Sequence, residues 1–395
     1  MYLHTIVLTL DWLIALLWTA TTLIALRNLP RIPDLLDDRY AQALAPSHSP
    51  LISVIVPGRD EAESIEACLR SLLAIESVTI EIIAVDDRSA DATGEIMERV
   101  AAEAQAAGKT LRVLHVAELP SGWMGKTHAM ALAARQASAP WLLFTDADIL
   151  FGKDALLRAL NFAEAERADH LVILPTLILK SFGERMIIAF FQGIAGISSR
   201  FWRIPDPKAK ESMGVGAFNM VRADVYRAMG GFEALRMEVL EDLRFGFEVK
   251  HQGFRQRVAF GLDLVRVRWA VGLAGIIRNI TKNFFAVFRF RVSLTLIASM
   301  LLFAFCAGPF VACAGGLAMC LPAALVLLML VLLYRYYRRY TSISTLYAIT
   351  FPVAACLVVY AIARSMVVTL VRGGVQWRGT LYPLAELRKN AGRLR

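Results

Sequence analysis

The chain has 395 residues, a net charge of +9, a hydrophobic share of 57% and a mean hydropathy of +0.51. That hydropathy excludes an ordinary soluble protein, and the excess sits at the two ends, leaving a middle of soluble composition. The positive charge flanks the apolar segments, at Arg27, Arg31, Arg335, Arg338 and Arg339. This points to a membrane surface, and the absence of a basic stripe interleaved with aromatics in the middle argues against nucleic acid. Five cysteines without a CxxC pair or zinc-type Cys/His spacing argue against a disulfide or zinc framework.

Residues 1–27 carry an apolar run, 5–26, broken only by Asp11. It is long enough to cross a bilayer as a helix. No basic segment precedes it and no A-x-A site follows it, so it reads as an anchor and not as a cleaved signal peptide. Basic residues follow it, so the positive-inside tendency puts the middle of the chain in the cytoplasm. Residues 28–50, rich in Pro, Asp, Ala and Ser, read as a linker with a short helix.

Residues 51–270 alternate strand and helix. The β-branched runs 51–57, 79–85, 111–116, 141–145 and 170–174 read as buried strands. The segments 61–74, 91–106, 126–137 and 153–166 have helical spacing. Repeated units of this kind predict a mostly parallel sheet with helices on both faces. Residues 183–202 place Ile187, Phe190, Phe191, Ile194 and Ile197 on one helical face, which suits a core helix or a helix in the membrane interface. Residues 271–292 repeat the pattern with Arg278, Lys282, Arg289 and Arg291 among Phe and Ile, and lead straight into apolar sequence. The interfacial reading is favoured there.

Within 293–371, spans are expected at 293–313, 316–334 and 345–370, with RYYRRY (335–340) as a cytoplasmic anchor. Three such spans would leave the basic tail 372–395, with Arg372, Arg378, Arg388, Lys389, Arg393 and Arg395, on the outer side. Pro352 and Arg364 allow the last segment to be a bent or re-entrant hairpin returning to the cytoplasm. The expectation is therefore a multi-pass protein with one N-terminal and two to three C-terminal membrane helices.

The parallel strands end in carboxylates. Asp60 and Glu61 follow the first, Asp86 and Asp87 the second, Asp146 and Asp148 the fourth. Ligands of open parallel sheets bind beyond those strand ends. A rim of like charge costs stability unless a cation sits in it, and Mg²⁺ or Mn²⁺ bridging to a diphosphate would meet that need. Asp91 suits a helix N-terminus, which leaves Asp86 and Asp87 for a uracil imide or a ribose hydroxyl.

Lys126, in GWMGKTHAM (122–130), opens a helix where the dipole favours anions. The spacing is not that of a Walker A loop, and His128 reads as structural. Gly214 and Gly216 permit a close backbone approach. Glu241 and Asp242 open another helix, either as a favourable acidic first turn or as a general base for an acceptor hydroxyl. Arg266, Arg268 and Trp269 in VRVRW suit phosphate, acceptor or interface anchoring.

Taken in order, VPGRDE, VDDRSAD, GK, DAD, GVGAF, MGGF, ED and a basic-Trp segment resemble the family-2 glycosyltransferases over about residues 51–270. Within that family the layout is similar to hopanoid-associated, carotenoid-type and ceramide glucosyltransferase-like lipid enzymes. The resemblance implies a GT-A fold, an inverting single displacement, a UDP-sugar donor, Mg²⁺ or Mn²⁺, and a lipid acceptor at the cytoplasmic face of the inner membrane. It implies Asp87 at the nucleotide base, with Asp60 and Glu61 lining the nucleotide pocket. Lys126 would lie near the phosphates, Asp148 would hold the metal with Asp146 supporting it, and Asp242 would be the base. The usual closing motif of the ceramide enzymes is Gln/Arg-x-x-Arg-Trp; here its first position is Val265, while Arg268 and Trp269 match. Two alternatives are transfer to a polyprenyl phosphate, with Arg278 and Lys282 as its cationic pocket, and a non-catalytic nucleotide-sugar sensor.

Overall fold

The computed structural model describes residues 2–44, 47 and 49–390; Arg393 and Arg395 of the basic tail lie outside them. The chain enters through helix α1 (Tyr2–Asn28). There follow β1 (Ile52–Gly58), α2 (Ile65–Leu73), β2 (Ile80–Asp87), α3 (Thr93–Ala106), β3 (Thr110–Val116), α4 (Gly125–Ala134) and β4 (Trp141–Phe144). Next come β5 (Ile149–Phe151), α5 (Ala155–Ala165), β6 (His170–Leu174), β7 (Thr176–Leu177), α6 (Phe182–Ser198), β8 (Asn219–Arg222), α7 (Ala223–Ala228), α8 (Glu241–His251), β9 (Gln256–Phe260) and β10 (Val265–Val267).

Among the described residues these strands make a seven-stranded sheet in the order β3-β2-β1-β4-β8-β6-β9. β8 alone runs antiparallel to its neighbours. β1 is buried along its whole length, as expected of a strand covered on both faces. The helices repeat the matching pattern: Ile65, Cys68, Leu69 and Leu72 form the buried stripe of α2. Residues 28–44 are more than a linker. Leu35 and Tyr40 are buried in the domain core, the Leu35 N–H donates to the Phe260 carbonyl at 3.1 Å, and Tyr40 packs edge-on to Phe162.

The second half is helical: α9 (Gly272–Val287), α10 (Val292–Cys306), α11 (Gly308–Ala312), α12 (Leu317–Tyr337) and α13 (Phe351–Arg372). The chain closes with β11 (Gly374–Trp377), β12 (Thr380–Pro383) and α14 (Leu384–Asn390). Among the described residues, three helices, His4–Arg31, Leu317–Tyr337 and Thr345–Arg372, are long and apolar enough to cross a membrane. Val292–Cys306 and Gly308–Gly315, bent by 55° at their junction, would make a fourth span. Ile6, Leu10, Leu13, Leu296, Ile297 and Met300 point outward, as lipid-facing residues do.

The ends of α1 and α12 meet the domain together: Ala25, Leu29, Leu333 and Tyr337 pack with Ile204, Val258 and Phe260. Tyr340 then stacks on Phe260 at 3.9 Å. The last apolar helix starts at Phe351, which packs on Trp18 and Phe190, runs along α9, and ends in a hairpin seated on the domain. Both ends of the 340–374 segment therefore touch the domain, through Tyr340 on Phe260 and Tyr382 on Gly125.

Candidate active site

The carboxylates of β1, β2 and β4 gather at one edge of the sheet because the three strands are parallel and in register. Asp60 and Asp86 brace the loops there. Asp60, in a left-handed conformation (φ 53°), accepts the Ala90 N–H at 2.8 Å, while Asp86 accepts the Ser89 N–H at 3.1 Å and meets His115 Nδ1 at 3.1 Å. Asp91 accepts the Thr93 N–H at 3.0 Å just ahead of α3, an Asx turn and not the expected cap, since the N-cap position is Ala92. Asp87 is buried and holds Arg88 through two hydrogen bonds of 2.8 and 3.1 Å. It faces Gly125, where a Cβ would overlap its carboxylate, so the backbone entering α4 can come this close only as glycine.

One residue further on, Lys126 Nζ lies 2.5 Å from Asp146 and 2.6 Å from Glu241. Burial pulls its pKa down, but Asp146, Glu241 and Asp242 outweigh this and hold it well above the ordinary value. Asp242 accepts the Gly216 N–H at 3.0 Å and the Leu243 N–H at 2.7 Å. Burial, reinforced by Glu241 and opposed by Lys126, pushes its pKa up to about 7. Gly216 is the second close approach, since a Cβ there would sit 2.5 Å from the Asp146 carboxylate.

Asp148 has no ion pair among the described residues, and burial, then Asp146 and Glu61, bring its pKa up to about 7. A carboxylate pushed up this way gains most from a cation. Among the described residues no cluster of three or more His, Cys, Asp or Glu side chains could hold a metal alone. Asp148 and Asp146 nevertheless suit a magnesium-type ion, which is usually held by one or two carboxylates with substrate phosphates completing the shell.

Sequence reasoning stopped at a basic tail where the structure forms a hairpin that reaches this site. β11 and β12 are joined by Arg378 and Gly379, both with positive φ (46° and 78°), the two-residue turn that suits the twist of paired strands. Arg378 pairs with Glu61 and donates to the Asp60 carbonyl at 2.8 Å. Arg59 donates to Thr380 at 3.1 Å, and the Gly125 N–H donates to the Tyr382 hydroxyl at 3.1 Å. Lys282, from α9, lies 3.1 Å from the Trp377 ring centroid. Burial, with Arg378 and Lys126 acting in the same direction, brings the Lys282 ammonium down to about 8. Glu61 is pushed up by burial, against the pull of Arg378. The signal in the sequence was VQW-RG-TLY, two β-forming triplets around a turn.

Arg266, Arg268 and Trp269 are placed differently. Arg266 is exposed on β10. Arg268 donates to the buried Glu184 at 3.2 Å, and Glu184 also accepts the Gly272 N–H at 2.7 Å. Trp269 packs edge-on to Phe191. Arg268 and Trp269 thus tie α6 and α9 to β10, and among the described residues no hydrogen bond or ion pair joins the three to the carboxylates at the strand ends. His128 lies edge-on to Trp123.

Residues 53–230 match the family described as Glycosyl transferase family 2. A 4,4'-diaponeurosporenoate glycosyltransferase of Staphylococcus aureus is 25% identical over 220 residues, 55% of this chain and 56% of that protein. The chain thus spans about half the length of the curated relatives it matches. Among solved structures, a mannosyltransferase, PcManGT from Pyrobaculum calidifontis, in complex with GDP-Man and Mn²⁺, is 21% identical with a TM-score of 0.49, covering 88% of this chain and 99% of that one. Staphylococcus aureus TarS 1–349 in complex with UDP-GlcNAc is 20% identical with a TM-score of 0.40, covering 59% and 66%. The match falls on the domain with the mostly parallel sheet and the acidic strand ends, so residues 53–230 are similar to the family-2 glycosyltransferases.

Proposed function

We propose that this chain is a family-2 glycosyltransferase that moves a sugar from a nucleotide-sugar, a UDP-hexose in the first instance, to a membrane lipid at the cytoplasmic face, with inversion at the anomeric carbon. One observation carries the reading. Lys126 is clamped between Asp146 and Glu241 while Asp148 stands beside them with no ion pair among the described residues, and Asp242 lies half-buried across the cluster, accepting the Gly216 N–H. The acceptor class follows from the apolar helices around the domain and from the carotenoid-type name of the curated relatives.

A divalent cation on Asp148, with Asp146 beside it, would stabilise the negative charge of the leaving diphosphate. Lys126, released from one carboxylate, faces the same phosphates from the start of α4. Asp87 and the Asp60–Glu61 loop frame the nucleotide. Asp242 takes the proton of the acceptor hydroxyl as its oxygen bonds the anomeric carbon and the bond to the diphosphate oxygen breaks. A base so placed is worth roughly 10²–10⁴-fold in rate.

The test is nucleotide release by detergent-purified protein with Mg²⁺ or Mn²⁺ and a panel of nucleotide-sugars, with and without a lipid extract. Release that needs lipid, and that Asp148→Ala abolishes, supports the reading. Nucleotide binding without any sugar consumption would move the chain to the sensor class.

A further inference from the structure

We propose that Arg378, carried on the C-terminal hairpin, is a donor-binding residue: a second cation beside Lys126 for the diphosphate of the nucleotide-sugar. This rests on the donor-site reading above and extends it to a segment beyond the matched residues 53–230.

The hairpin is fixed at its base and polar at its tip. Val375, Tyr382 and Leu387 are buried with Met124, Met237, Phe285, Phe290 and Met366, so the base is anchored in apolar packing. The tip rests on the acidic edge through Arg378 to Glu61 and the Asp60 carbonyl, and through Thr380 to Arg59. Arg378 occupies the left-handed region, which is strained for a non-glycine residue, and its side chain is held by Glu61 and the Asp60 carbonyl.

Charge supplies the rest of the argument. Glu61, Asp146, Asp148, Glu241 and Asp242 face Lys126, Lys282 and Arg378, so carboxylates outnumber cations. Arg378 balances Glu61. A guanidinium is a planar fork that matches phosphate oxygens in bidentate fashion. The Tyr382 hydroxyl sits on the Gly125 N–H, at a helix start suited to an anion. The hairpin therefore covers the positions a diphosphate would take and brings a cation to them. Lys282, held over Trp377, is near enough to Arg378 and Lys126 for both to lower its pKa.

The experiment is titration of UDP, and separately GDP, with Mn²⁺, into the full-length protein in detergent, comparing the parent with Arg378→Ala, Arg378→Lys and Lys126→Ala. Arg378→Ala is expected to weaken nucleotide binding roughly ten- to a hundred-fold, the scale of a lost charged hydrogen-bond pair. Arg378→Lys should recover only part of this, because a point charge replaces the fork. In the transfer assay the KM for the nucleotide-sugar should rise while the KM for the lipid holds, a split that a structural clasp would not produce. Melting curves identify an alanine variant that fails to fold, in which case the lysine variant carries the test. If Lys126→Ala weakens binding and both Arg378 variants bind as the parent does, Arg378 is a clasp only and the inference fails while the donor-site reading stands. If none of the variants weakens binding, the donor-site reading fails and takes this inference with it.

Discussion

At the scale of single residues, the site is organised by close approach and by an excess of carboxylate. Gly125 allows α4 to start against the Asp87 carboxylate. Gly125→Ala should cost about 1–3 kcal/mol of stability through overpacking and weaken UDP binding, and a melting curve paired with a UDP titration checks both. In the proposed role the half-buried Asp242, raised to about 7, acts as a base only when deprotonated. Its acid limb in the rate profile should therefore lie near neutrality, with activity lost as pH falls below about 7. A profile flat down to pH 5 would remove Asp242 from that role. Most of these residues were legible in the sequence because each buried β-branched run ends abruptly in Asp, and parallel strands bring such ends to one edge. Arg378 was not: it lies 317 residues from Glu61, and only the packing of α9 and α13 brings it there. Arg266, Arg268 and Trp269 looked chemical by residue type, but a buried Glu184 claims Arg268, and no spacing rule shows a partner 84 residues away.

At the scale of elements, the antiparallel β8 is the departure from a simple βα reading. It inserts between β4 and β6 and was too short to be read as a strand from periodicity. Polar pairs hold it in place. Neutral His170 donates from Nε2 to Asn219 on β8 at 3.1 Å and accepts from Gln256 on β9 at 2.9 Å. Burial lowers the His170 pKa from 6.5 to about 4. Between those values the unfolded chain binds more protons than the folded one. The contribution is therefore complete above pH 6.5 and is lost as pH falls toward 4, a total of ~3 kcal/mol at 1.36 kcal/mol per unit. The denaturation midpoint of the parent should fall more between pH 7 and pH 5 than that of His170→Gln. Equal shifts in the two proteins would exclude His170 as the titrating group.

At the scale of the whole molecule, the basic tail and the count of spans agree once the last apolar segment returns to the side it left. We propose that α1, the bent pair α10–α11 and α12 cross the membrane and that α13, although long and apolar enough to do so, does not. Charge patterning located the spans, because apolar length is a local property. It could not separate a crossing from a return, which depends on Tyr340 meeting Phe260 and Tyr382 meeting Gly125. A topology reporter fused after residue 395 should report the same side as one inserted at the exposed Ser121, and opposite sides would break the account of α13.

The central claim, that this acidic edge binds a nucleotide-sugar and transfers its sugar with Asp242 as base, is tested most directly by separating binding from transfer in one variant. Asp242→Asn should bind UDP with Mn²⁺ as tightly as the parent while lipid glycosylation, followed by mass spectrometry, falls roughly 10²–10⁴-fold. Transfer at the parent rate in that variant would contradict the assignment of the base and the site built around it.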